Sequence, residues 1–127
     1  MFNPYFKYGV KLIPRFDKKK KGGEDAYVVS DRLIVVADGV GGWEMHGINS
    51  GLFSRELCAN IKRLFDEDPT RSLKYLLIEA VKLQTHIGSS TAVLAKFDSK
   101  DPSLLLTTNL GDSGYMLCRI IEDKEGN

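Results

Sequence analysis

The sequence predicts an α+β fold in which antiparallel strands carry a layer of helices on one face. Three observations predict it. Leu33-Ile34-Val35-Val36-Ala37 is an unbroken apolar run, and Asp31-Arg32 alone separates it from a second run, Ala26 to Ser30. Two such runs joined by two residues form a hairpin. Two central stretches then repeat apolar residues at helical spacing. Finally, the last third is rich in strand formers and punctuated by short turns, which implies antiparallel pairing.

Each element follows in order. Tyr8, Val10, Leu12 and Ile13 suggest a short strand ended by Pro14. Lys18 to Gly23 reads as a charged, flexible loop. The hairpin follows, and the run 33–37 lacks alternation, so both its faces are expected to be covered. Asp38-Gly39-Val40-Gly41-Gly42-Trp43 opens a glycine-rich loop to Gly51. From about Ser50, residues Phe53, Leu57, Ile61, Leu64 and Phe65 line one helical face. Asp66 to Pro69 breaks that helix, and Asp68 or Thr70 is the expected cap of the next. Leu73, Leu76, Leu77, Ala80 and Val81 place a second amphipathic helix up to about Gln84. Strands are expected at Thr91 to Phe97, Leu104 to Asn109 and Tyr115 to Ile121, with the turn Gly111-Asp112-Ser113-Gly114 before the last.

Composition excludes several classes of function. The chain has 127 residues, suiting one domain or one lobe of a larger one. No apolar run reaches the roughly 18 residues of a membrane span. Cys58 and Cys118 match no zinc spacing, and Cys58 beside a helical apolar face reads as a buried, inert thiol. Unpaired cysteines favour an intracellular site. A formal net charge of +1 gives no case for nucleic-acid binding. The charge is uneven, however. Residues 1–21 carry seven Lys or Arg against Asp17, a net +6, which leaves −5 for the rest. The chain therefore divides into a basic leader, 1–21, and a body, 22–127.

Acidic residues carry the chemistry. Glu24-Asp25 begins one hairpin strand and Asp38 ends its partner, both at the end away from the turn. Counting outward places Asp25 or Glu24 opposite Asp38 or Gly39. Such a set is either a solvated strand end or a site for a hard divalent cation, which takes carboxylate and carbonyl oxygens. Gly39 would let the chain bend so that its own carbonyl faces the ion. The glycine loop is no nucleotide site, since the dinucleotide fingerprint fails at Glu44 and no Gly-Lys-Ser/Thr follows. No Gly-x-Ser-x-Gly elbow surrounds Ser89, Ser90 or Ser113, so no nucleophile is set up. His46 and His86 have no fixed partner in sequence, and Trp43 reads as packing for its loop.

Four segments then appear in order: Gly23-Glu24-Asp25-Ala26-Tyr27, Val36-Ala37-Asp38-Gly39-Val40-Gly41-Gly42-Trp43, Gly88-Ser89-Ser90-Thr91-Ala92 and Asn109-Leu110-Gly111-Asp112-Ser113-Gly114. Together they resemble the successive motifs of the metal-dependent type-2C (PPM) serine/threonine protein phosphatases. The variants present are most similar to the mitochondrial, yeast Ptc seven-like branch. The resemblance covers residues 20–121. It implies an α-β-β-α sandwich and hydrolysis of phosphoserine or phosphothreonine in phosphoprotein substrates, using two Mn²⁺ or Mg²⁺ ions. By the same resemblance, Asp38 bridges both metals, the Gly39 carbonyl and Glu24 bind one of them, Asp25 acts through water, and Asp112 serves a weak third site. Lys20 stands where many members carry a phosphate-binding arginine, and Val40 where some carry a histidine.

The family domain is longer by a hundred residues or more, and that remainder holds further metal-binding aspartates. The resemblance therefore implies an N-terminal half, incomplete in its metal site and inactive alone, whose open sheet awaits a missing C-terminal half or a partner chain. The alternative is a non-catalytic, phosphatase-like subunit packed within a larger assembly.

Overall fold

The computed structural model describes residues 3–123, the side chains of Lys20 and Lys21 excepted. Four strands, β1 (Asp25–Val29), β2 (Leu33–Asp38), β3 (Ala92–Phe97) and β4 (Leu105–Leu110), form one antiparallel sheet in sequence order. Between β2 and β3 lie two helices, α1 (Ser50–Glu67) and α2 (Leu73–Lys82). Both pack on the same face of the sheet. The class is α+β, as the residue pattern predicts.

The hairpin closes at Ser30, whose hydroxyl accepts from the Leu33 N–H at 3.1 Å while Ser30 N donates to the Leu33 carbonyl at 3.0 Å. The resulting register pairs Tyr27 with Val36 and Asp25 with Asp38. On the opposite pleat, Leu33, Val35 and Ala37 face the helices, where they meet Leu57, Ile61, Leu64, Leu76 and Ala80. Burying each large aliphatic side chain of that core contributes about 1.5–3 kcal/mol.

The helix caps differ in part from expectation. Asn49 caps α1 by accepting from Gly51 N at 2.9 Å. Ser72, not Asp68 or Thr70, caps α2, accepting from Tyr75 N at 3.1 Å. Asp68 is spent one turn earlier, where it accepts from the Thr70 N–H and hydroxyl. The buried Lys96 on β3 donates to the carbonyls of Pro69 and Arg71 and so ties the sheet to the interhelical loop.

Four further expectations are corrected. The run 33–37 is covered on one face only: Tyr27 and Val36 remain 43% and 46% exposed on the other. Residues 8–13 form no strand. Their arm is held instead by Phe6, whose N–H donates to the Asp31 carbonyl at 2.7 Å and whose ring stacks on Phe97 at 4.7 Å. Residues 115–121 form no strand either, and all are exposed. Strand propensity becomes a strand only through pairing, and neither segment pairs with the β1 or the β4 edge of the sheet. Lastly, Phe16–Lys21 is a 3₁₀ turn rather than a loop, and Gly41–His46 is a second such turn inside the glycine-rich stretch.

Candidate functional site

The site grows from the open end of the hairpin. Asp25 and Asp38 are register partners, so their side chains leave the same face of the sheet. One residue outward, Gly39 N donates to the Glu24 carbonyl at 3.0 Å. That carbonyl also accepts from the buried Ser54 hydroxyl at 2.6 Å, which fixes the strand end to α1. Gly39 is required by this crowding, not by a bend, and its φ is not left-handed. A Cβ there would stand 2.6 Å from the Glu24 carbonyl oxygen and 2.8 Å from that of Ser50.

Thr91 brings in the two later segments. Its N–H donates to the Asp38 carbonyl at 2.9 Å, and its hydroxyl accepts from Asp38 N at 3.1 Å. The same hydroxyl shares a 2.6 Å hydrogen bond with Ser113. The turn bearing Asp112 is thereby placed beside Asp38. Ser89 does the equivalent for the glycine loop: its carbonyl accepts from Val40 N at 3.0 Å and its hydroxyl from Trp43 Nε1 at 2.7 Å. Trp43 thus packs its loop, as expected.

Electrostatics divide the acids into two groups. Loss of hydration pushes the Asp38 carboxyl above its ordinary value, and the Asp25 and then the Asp112 carboxyls push it further. These three share one field, and each of the two neighbours disfavours a negative charge on Asp38. Glu24 is not in that group. Its carboxylate pairs with the ammonium of Lys18, which is only 8% exposed and also lies 3.4 Å from Glu44. The backbone of Lys20 lies in the same 3₁₀ turn, while its side chain is outside the described residues. Lys18 escaped sequence reasoning because it is one of four consecutive lysines. Thr91 and Ser89 lay inside a motif, but nothing in residue type revealed their bonding.

The donor set consists of carboxylate oxygens, the chemistry a hard cation takes. Among the described residues, no three His, Cys, Asp or Glu groups are arranged to hold a metal by themselves. The residues therefore fit one side of such a centre. A cleft of about 430 Å³ lies at the other end of the hairpin, beside Tyr5, Asp31, Phe65 and Phe97, and has no part in this cluster. Among the described residues, no helix is long and apolar enough to cross a membrane.

No family model matches the chain. Individual proteins do. It is 40% identical over 115 residues to a protein of Arabidopsis thaliana called probable protein phosphatase 2C 26, covering 87% of this chain and 38% of that one. It is 40% identical over 121 residues to protein phosphatase PTC7 homolog fig of Drosophila simulans, covering 84% and 38%. Its fold superposes on the X-ray structure of the photosystem II phosphatase PBCP with a TM-score of 0.72 and 36% identity, over 80% of this chain and 41% of that one. The chain belongs to the type-2C (PPM) protein phosphatase family. Within that family it spans 38% of the length of the curated relatives just named. The type-2C fold thus accounts for the single sheet with helices on one face.

Proposed function

We propose that this chain supplies one side of the catalytic centre of a metal-dependent protein serine/threonine phosphatase. The observation that carries the reading is the convergence of Asp25, Asp38 and Asp112, joined through Thr91, at the open end of the hairpin. Asp38, the Gly39 carbonyl and Glu24 would hold Mn²⁺ or Mg²⁺, with Asp25 acting through water and Asp112 at a weaker third position. Two such ions supply an activated water at neutral pH and charge to offset the developing negative charge on the phosphoryl oxygens. The chain's own part is to orient oxygens. The β1–β2 pairing fixes Asp38 against Asp25, and Thr91 locks both the N–H and the carbonyl of Asp38.

Residues 22–127 would form the N-terminal half of the phosphatase domain, with 1–21 as a basic leader. The remaining ligands would come from a C-terminal half or a partner chain, which would also cover the face bearing Tyr27 and Val36. The substrate is a phosphoprotein. A mitochondrial location is supported by the basic leader and by the likeness to the Ptc seven-like branch.

The test is Asp38→Asn in the full-length natural protein. Turnover of a phosphothreonine peptide with Mn²⁺ should fall by about a hundredfold or more. Undiminished turnover overturns the reading.

A further inference from the structure

Among the described lysine side chains of the basic segment, that of Lys18 alone is buried in the body of the fold. The 3₁₀ turn Phe16–Lys21 places its ammonium against Glu24, and Glu44 of the second 3₁₀ turn approaches from the other side. Gly41 packs directly over the pair: a Cβ there would lie 2.9 Å from the Lys18 ammonium and about as close to both Glu24 carboxylate oxygens, at 3.1 and 3.2 Å. The ion pair is therefore enclosed by three chain segments. The Lys18 side chain is 10% exposed and that of Glu24 17%. A carboxylate so sheltered needs a cation beside it, since an uncompensated charge out of water is costly. The Asp38 group differs: among the described residues what acts on Asp38 is Asp25 and Asp112, and all three are exposed.

We propose that Lys18 is an internal counter-cation that holds Glu24 in reserve, and that a divalent cation loads onto Glu24 by displacing the Lys18 ammonium. This rests on the metal-site reading above and adds an exchange step to it. One positive charge leaves the carboxylate as another arrives, so Glu24 is never left bare. The site then discriminates against weakly charged ions, because a monovalent cation gains nothing over the ammonium already there. The released ammonium stays tethered by the 3₁₀ turn, close enough to meet an anion bound nearby.

The experiment is calorimetric titration of Mn²⁺ into the full-length natural protein, its Lys18→Met and Lys18→Arg variants, and the Lys18→Met/Glu24→Gln double variant. Circular dichroism reports whether each is folded. Lys18→Met should bind Mn²⁺ on the order of tenfold more tightly than the parent, because the competing charge is gone. Lys18→Arg should bind like the parent, and the double variant should lose the gain. Equal or weaker binding by Lys18→Met overturns the proposal, as does a gain that survives Glu24→Gln. If the parent binds Mn²⁺ without these differences, only the exchange step fails. If no form binds Mn²⁺, the metal-site reading fails with it. Should Lys18→Met not fold, Mg²⁺ titration of the ¹⁵N-labelled parent decides the matter. The protected Lys18 ammonium resonance should be lost to solvent exchange at saturation, and its persistence overturns the proposal.

Discussion

Asp25 and Asp38 stand directly opposite each other across β1 and β2, two carboxyl groups at a strand end, and Asp112 adds its charge to the field at Asp38. Like charges directly opposed on a sheet oppose pairing. The Asp38 carboxyl is pushed up, first by loss of hydration and then by Asp25. A carboxyl whose folded pKa lies above its unfolded value weakens the fold at high pH and ceases to do so as it protonates. Asp38→Asn should therefore raise the thermal midpoint of the metal-free chain at pH 7. The advantage over the parent should shrink as pH falls towards the ordinary value of 3.8. Thermal melts of both proteins from pH 7 to pH 4 check this, and a constant or growing gap contradicts it.

Glu56 should behave in the opposite sense. Its carboxylate on α1 accepts from the Thr85 N–H and hydroxyl and from His86 N, and contacts His86 Nδ1 at 2.8 Å. Burial pushes the group up, but these bonds outweigh it and bring it down to about 2 from 4.5. The stabilisation is full above the ordinary value and is lost as pH falls from 4.5 towards 2. Glu56→Gln should cost about 2 kcal/mol at pH 7, the range for hydrogen bonds to a charged group. Urea unfolding at pH 7 and pH 3 should show the difference narrowing at the lower pH.

Gly39→Ala should disturb both the fold and the site. The added methyl would collide with the carbonyls of Glu24 and Ser50, both backbone atoms that cannot swing aside. Overpacking of this kind costs about 1–3 kcal/mol. Equilibrium unfolding measures the loss. An unchanged midpoint would mean that the strand end is looser than its hydrogen bonds to Gly39 and Ser54 imply.

The two thiols should separate cleanly. Burial pushes the Cys58 thiol up to about 12, whereas Cys118 is exposed. At pH 8 an aromatic disulfide reagent should modify Cys118 within seconds and Cys58 only after denaturant is added. Two equally fast thiols in the native chain would contradict the packing of Cys58 against the core.

Much of this architecture was legible in the residues because it is local. The β1–β2 hairpin is written in two apolar runs with a two-residue joint, and counting from that joint brings Asp25 to Asp38. α1 and α2 are written in the recurrence of Leu57, Ile61 and Leu64, and of Leu73, Leu76, Leu77 and Ala80. What depends on a distant partner was not legible. Tyr8 to Ile13 and Tyr115 to Ile121 have strand composition, yet neither pairs with the open β1 or β4 edge. The unbroken run at β2 reads as doubly covered, yet only the helical face is filled. Within the site, the sequence shows which acids are present but not how they divide. Glu24 adjoins Asp25 in the chain, yet its carboxylate pairs with Lys18 whereas Asp25 acts on Asp38. Only the fold tells Lys18 from its three identical neighbours.

The sheet order also bears on how the molecule is made. Because β1, β2, β3 and β4 are neighbours in the sheet as they are in the chain, each can join its predecessor as it leaves the ribosome. No strand has to wait for a later one to be inserted between two that are already paired. The two helices arrive after the first hairpin and before β3, in time to cover its apolar face. Sequential addition of this kind suits folding in the order of synthesis, although β3 reaches β2 only after both helices are made. A ribosome-stalled chain of this length should thus already protect β1 and β2 from hydrogen exchange.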